Sequence, residues 1–513
     1  MTDPTPRPPA APPSPTDAHG LSRRGFLALA GGTGASLALS ACGGALGPRT
    51  VDELSTVVAP VRYLSEPHLR PPRVTVARRP ASPGSQLFVL TDAHGRGQQG
   101  PMIMDRAGQL RWFRPYSEHG TPHLRVMNVR VQRYRGQRVL SFWVGGLVAS
   151  HGAGHYELHD ERYRKLAEVH AAEGMKGDLH EFRITPQDTA LFTAYGVAHG
   201  EIPDGHGGLR HGPYWYCCCQ EVDIATGKLL LQWRSDEHVP FQASYLAQPR
   251  RPSTPWDYFH MNSINIDPSD GNLIISSRNL WQVYKVDRRT GETIWRLGGR
   301  GSDFELGRGV RFAFQHDVVP HGHGIYSVFD NEAGPPAEAS QSRAIVLKVD
   351  EIRRTVRLLR EYHHDPKVLA PALGSMQLLP GGGVFVGWAR PSWFTEWDRD
   401  GAIVFDAHLP HGVISYRAFL QEWQGVPETP PQFVVRRQGH RATLYVSWNG
   451  ATVHRRWRVL GGTGSGVLSE MAGADVGGFE TAIDLPRIPR WVKVEAVGES
   501  GDVVGHSDVV RLT

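Results

Sequence analysis

Beyond residue 84 the apolar positions fall in short runs separated by glycine or polar turns, and the runs recur on one plan. Each unit reads strand, glycine turn, strand, then an acidic residue, a turn and a strand carrying an aromatic. The closing halves are clearest: Asp105 to Trp112 (DRAGQLRW), Asp223 to Trp233 (DIATGKLLLQW), Asp287 to Trp295 (DRRTGETIW), Asp350 to Tyr362, and Asp398 to Phe405 (DRDGAIVF). A less regular sixth unit spans Arg125 to His170. A turn between two strand-like runs is the outer hairpin of a propeller blade. The pattern predicts an all-β chain with a six-bladed β-propeller over residues 84–426.

The opening halves align as well. With Asn128, His180, His260, His316 and Ser375 as equivalent starts of the first strand, the second strand ends at Trp143, Tyr195, Arg278, Asn331 and Arg390. The separation is 15 residues except from His260 to Arg278, where the turn DPSDGN is three residues longer. The first strand of a blade is innermost, so these starts are expected to converge on the central channel near one face. Three of the five are histidine. The other histidines, including His151, His155, His321 and His323, lie in loop-like stretches and read as solvated or structural.

After a proline-rich break at Pro427 to Pro431, alternating patterns at Ala442 to Trp448, His454 to Leu460 and Val492 to Val497 predict a small Ig-like or fibronectin-III-like sandwich over 427–513. It carries no cluster of catalytic residue types and reads as an accessory domain. Gly 58 and Pro 38 in 513 residues agree with many short strands and tight turns. The net charge of +5 comes from scattered arginines, with no run of a nucleic-acid-binding kind. Four cysteines exclude a disulfide framework. Cys217, Cys218 and Cys219 are adjacent and read as buried, inert thiols on a strand.

The N-terminus reads as an address. Ser22, Arg23, Arg24, Gly25, Phe26 and Leu27 form a twin-arginine signature ahead of a weakly apolar stretch ending in Leu39, Ser40, Ala41 and Cys42. This predicts a signal peptide over 1–42, export by the twin-arginine machinery and lipidation of Cys42. Residues 43–83 would then form a tether and N-terminal segment, holding the protein outside the cytoplasm on the outer membrane face.

The channel mouth would gather His180 (DLHEF), His260 and Asn262 (YFHMNSI), Arg278 (SSRN) and His316 with Asp317 (FQHDV). Such a cationic, donor-rich ring suits an anionic ester whose oxygens must be held while the central atom passes between nucleophiles. Arginine offers a fixed planar fork, and imidazoles can divide attack and proton transfer between them.

These stretches, with WRLGG, resemble the bacterial arylsulfate sulfotransferases that use no nucleotide donor, over about Gly84 to Trp423. The resemblance implies His316 as the nucleophile that becomes sulfated, Arg278, His260 and Asn262 gripping the sulfuryl oxygens, and His180 assisting proton transfer. It further implies a ping-pong cycle from aryl sulfate to phenol with no cofactor and no metal. Trp143, Tyr195, Trp281, Trp388 and Trp393 are candidates for an aromatic entrance or for core.

Other readings of the same residues are a metalloenzyme with the three histidines as ligands, a quinone-cofactor dehydrogenase, and a non-catalytic ligand-binding propeller at the cell surface. In a purely structural reading the histidines satisfy buried backbone groups.

Overall fold

The computed structural model describes residues 60–80, 86–116, 124–204, 207–334 and 337–512. The twin-arginine stretch and Cys42 lie outside the described residues. The described chain is nearly all β. Its helical pieces are the four-residue turn Ser235–His238 and the 3-10 turn Phe241–Ala243, and no described helix is long and apolar enough to cross a membrane.

The acidic residues of the repeat build its outer turns. The Asp105 carboxylate accepts the backbone N–H groups of Ala107 and Gln109, and Asp398 does the same for Asp400 and Ala402. Asp223, Asp287 and Asp350 bind the following backbone in the same way. A side chain that satisfies the turn's own donors pins the hairpin locally. Gly108, Gly227, Gly291 and Gly401 take the positive φ these turns require, and in the Asp350 turn Arg354 takes it instead, at φ 55.

Antiparallel meanders follow in chain order. Met261–Ile266, Leu273–Ser277, Gln282–Val286 and Thr293–Gly298 form one four-stranded sheet. His316–Pro320, Ile325–Asp330, Arg343–Asp350 and Thr355–Tyr362 form the next, with the short strand Glu305–Leu306 parallel to its last member. Ser375–Leu378, Val384–Gly387, Trp393–Trp397 and Ile403–His408 form another. Upstream, the meander Arg125–Tyr134, Gln137–Val148, His151–His159 and Lys165–Val169 is joined in its sheet ladder to the meander Gly177–Ile184, Thr189–Pro203, Leu209–Asp223 and Leu229–Arg234 by the pair Gly154↔Gly177.

The remaining sheet joins distant parts of the chain. Leu87–Gly95, Gly100–Met104 and Leu110–Phe113 are completed by Ala418–Glu422, in register from Leu87↔Glu422 to Thr91↔Ala418. The strand Thr75–Arg78, which the sequence pattern does not announce, adds an edge against Ile403–His408.

The tail holds a three-stranded and a five-stranded sheet around a core that includes Leu444, Val446, Trp457, Val459 and Val494. Asn449 locks it to the first meander, accepting the Phe113 N–H at 3.0 Å and donating to the Phe113 carbonyl at 2.9 Å.

Candidate functional site

Irregular register marks the first strand of four of the meanders. The ladder slips between Met127 and Arg130, between Phe192 and Ala194 opposite the stretch that holds His180, between Met261 and Ser263, and between His316 and Val319. Bulges of this kind release a side chain from strict alternation and re-aim it. Asn128, His260 and Asp317 accordingly take left-handed backbone, at φ 63, 56 and 48. Non-glycine residues there cost backbone strain, which the surrounding sheet has to hold.

The bulges bring His180 and His260 together, with their Nε2 atoms 3.2 Å apart. Each ring is oriented from behind by a carboxylate: Asp178 sits 2.6 Å from His180 Nδ1, and Asp257 sits 2.6 Å from His260 Nδ1. Asp178 is itself fixed by the backbone N–H groups of Gly152 and His180 and by the Thr193 hydroxyl. Arg278 stands on the other side of Asp257, with its guanidinium 3.8 Å from the carboxylate and 4.5 Å from the Phe314 ring centroid. The Arg278 N–H donates to the His260 carbonyl, so the end of one strand is tied to the start of its neighbour.

His316 is held differently. Its Nδ1 lies 2.7 Å from Asn331 Oδ1 and 3.1 Å from the Phe314 carbonyl. Asn331 spends its amide N–H groups on the carbonyls of Ala370 and Leu373, which leaves its oxygen facing the ring as an acceptor. His316 must therefore carry its proton on Nδ1 and its lone pair on Nε2, where the Leu373 N–H points at 3.2 Å. Burial, and then the positive charge of Arg278, push the His316 and His260 pKa values well below the ordinary histidine range, so both rings stay neutral. Burial by itself would raise Asp257, but His260, His151 and Arg278 hold it below its usual value.

Asn262 projects from the bulge after His260, donates to the Gln315 carbonyl at 2.6 Å and keeps a buried Oδ1 with no hydrogen-bond partner among the described residues. Tyr195 is buried, with its hydroxyl on the Met261 carbonyl. Trp143 and Trp388 are fully buried core residues.

Gathered, the site is a pair of carboxylate-backed imidazoles, an arginine, and a neutral imidazole with a directed lone pair. The family model for arylsulfotransferase (ASST) matches residues 130–409, a stretch that contains all five of the residues the repeat and the motifs single out. The chain belongs to the arylsulfotransferase family. No curated protein matches this arylsulfotransferase-family chain. Among solved structures it is similar to a protein of unknown function from Bacteroides caccae, at 14% identity and TM-score 0.39, covering 65% of this chain and 98% of that one. It is also similar to the Myceliophteria thermophila Cps50 (Swd1) β-propeller domain, at 11% identity and TM-score 0.29, covering 71% and 99%. A third is apo AztD from Citrobacter koseri, at 8% identity and TM-score 0.31, covering 66% and 99%.

Further residues of this family member surround the ring. His151 is no loop residue: it opens the strand His151–His159, is 1% exposed, stacks on Tyr195 at 3.9 Å between centroids, and lies 3.5 Å from Asp257. His155 lies on the same strand. Donor atoms of His151, Asp257 and His260 fall within 4.8 Å of one another. That grouping differs from the three histidines weighed as metal ligands, and the Arg278 guanidinium beside Asp257 opposes a cation there.

Arg417, Glu181 and Asp317 form a buried ion network beneath the ring, with contacts of 3.0 and 3.4 Å. Cys217, Cys218 and Cys219 are free and buried, and burial pushes each thiol up, in agreement with inert packing.

Proposed function

We propose that the protein carries a sulfuryl group from an aryl sulfate to an acceptor phenol in two steps, through a sulfated His316. The observation that carries this reading is the fixed tautomer of His316, a neutral ring whose Nε2 lone pair is directed by Asn331 at Nδ1.

In the first step the His316 Nε2 lone pair exchanges its hydrogen bond from the Leu373 N–H for the substrate and attacks the sulfur. The sulfur–oxygen bond to the aryl group breaks, and its electron pair leaves on the phenolate oxygen. Arg278 stabilises the sulfuryl oxygens with charge-assisted donors, joined by the second amide N–H of Asn262. The phenolate takes its proton from the His180–His260 pair. In the second step the acceptor phenol gives its proton back to that pair, its oxygen attacks the sulfur, and the bond to Nε2 breaks. No cofactor enters the cycle.

On this reading the meanders are six blades around one axis, closed by Ala418–Glu422 on Leu87–Gly95, and the tail is the Ig-like accessory domain. The N-terminal address is read as before: twin-arginine export, cleavage ahead of Cys42 and lipid anchoring on the outer membrane face.

The test is to incubate the purified protein with a chromogenic aryl sulfate alone and then with a second phenol. Digestion and mass spectrometry should find a sulfated peptide containing residue 316 before the phenol is added and not after. Absence of both turnover and adduct in well-folded protein would remove the reading.

A further inference from the structure

A cavity of about 570 Å³ is lined by residues of Arg125–Tyr134, Gly177–Ile184, His316–Pro320, Ser375–Leu378 and Ala418–Glu422; it shares Asp317 with the buried ion network, and His180, His260, Arg278 and His316 are not among its lining residues. Arg130 and Arg183 line it, with an apolar wall of Val319, Met376, Leu378 and Phe419.

The charges beside this cavity do not balance. Glu181 takes contacts from Arg130 at 3.2 Å, Arg183 at 3.4 Å and Arg417 at 3.0 Å, and Asp317 takes a second contact from Arg417 at 3.4 Å. Three guanidinium groups thus share two carboxylates. Arg130 is 4% exposed, and its Nε is buried without a hydrogen-bond partner among the described residues. Its remaining contacts are the Asn128 oxygen at 2.6 Å and the Phe419 ring at 4.4 Å. Burial pulls its pKa down to about 9, with Glu181 compensating only in part. A buried cation with too little counter-charge is costly, and an anion in the adjoining cavity relieves that cost.

We propose that this cavity binds a small organic anion, a single sulfate, sulfonate or carboxylate group on an apolar body of aromatic size. Arg130 and Arg183 take the anionic group, and the body lies against Phe419, Met376 and Leu378. Bidentate guanidinium recognition suits either oxyanion, and the apolar wall favours such ligands over inorganic sulfate. This site is separate from the histidine ring and does not depend on the reading of that ring as an enzyme.

Benzenesulfonate is the probe, because its carbon–sulfur bond keeps it from being a transfer substrate at either place. Calorimetric titration of the full chain at low salt compares wild type, Arg278→Gln, Arg183→Gln, Arg183→Lys and the double variant Arg278→Gln/Arg183→Gln. The expected result is one equivalent of binding retained in Arg278→Gln, weakened at least tenfold by adding Arg183→Gln. Arg183→Lys keeps the charge and should bind within about threefold of wild type, which separates lost charge from a damaged fold.

Loss of all binding in Arg278→Gln alone, or no effect of Arg183→Gln, overturns the proposal. Absence of sulfuryl transfer by the wild-type protein, with Arg183-dependent binding intact, would instead count against the proposed function alone. Inorganic sulfate binding as tightly as benzenesulfonate would overturn the assignment of an apolar body.

Discussion

His180 and His260 meet through their Nε2 atoms at 3.2 Å while each turns Nδ1 to a carboxylate. An ionised carboxylate only accepts, so both Nδ1 atoms carry hydrogen. A hydrogen bond between the two Nε2 atoms therefore needs one further proton, shared by the pair. Burial and then Arg278 push the His260 pKa well below the ordinary histidine range. A proton shared by this pair is the acid that the proposed first step draws on.

Breaking the anchor of one ring tests this arrangement. Asp257→Asn leaves His260 and Arg278 beside a neutral amide, and loss of a buried charge partner of this kind costs ~3 kcal/mol. We expect a lower Tm, and turnover reduced more at neutral pH than at acid pH, where the pair can still be protonated from solution. A pH–rate profile parallel to wild type would contradict the shared proton.

Asn331 holds Nδ1 of the proposed nucleophile, His316. Asn331→Asp keeps an acceptor at His316 Nδ1 but adds negative charge, which raises the ring's pKa and protonates Nε2. The expected outcome is kcat about 10- to 100-fold lower with KM little changed, recovering as pH rises. A pH-independent loss would mean only structural damage.

The neutral histidines also set acid stability. His260 and His316 have folded pKa values below those of the unfolded chain, so the folded state binds fewer protons. Their contribution is fully present above the unfolded histidine value of about 6.5 and is lost as pH falls below it. Denaturant midpoints should decline from about pH 6.5 downward, and less steeply in His316→Asn.

His151→Phe keeps the stacking on Tyr195 but removes the nitrogen 3.5 Å from Asp257. If His151 positions that carboxylate, folding should be preserved while the acid limb of the pH–rate profile shifts. An unchanged profile would confine His151 to packing.

Glycines around Trp143 carry a stability prediction. A Cβ at Gly154 would meet the Val144 carbonyl oxygen at 2.1 Å and the indole at 2.9 Å. Gly154→Ala should therefore destabilise by ~1–3 kcal/mol through overpacking, measured by urea unfolding.

That crowding explains how the loop-like stretch around His151 comes to lie on a strand. The stretch His151, Gly152, Ala153, Gly154, His155 has the composition of a loop, yet the glycines sit on a strand because Trp143 lies flat against their backbone. Composition alone cannot distinguish a glycine needed for a turn from one needed for close approach.

The sequence by itself determined the β-rich character, the turn-forming aspartates, the family, and the repeat register that aligned His180, His260, His316 and Arg278. All of these follow from local signals: period-two alternation, side chains capping their own turns, and fixed spacing between strands. The folded chain alone reveals that Asp178, Asp257 and Asn331 stand at the Nδ1 atoms of those rings, that Arg417, Glu181 and Asp317 form a buried network nearby, and that His151 joins them. Those pairings depend on which strands become neighbours and where the ladder slips by a residue. A single bulge redirects a side chain, and nothing in the spacing of residues along the chain records where it falls.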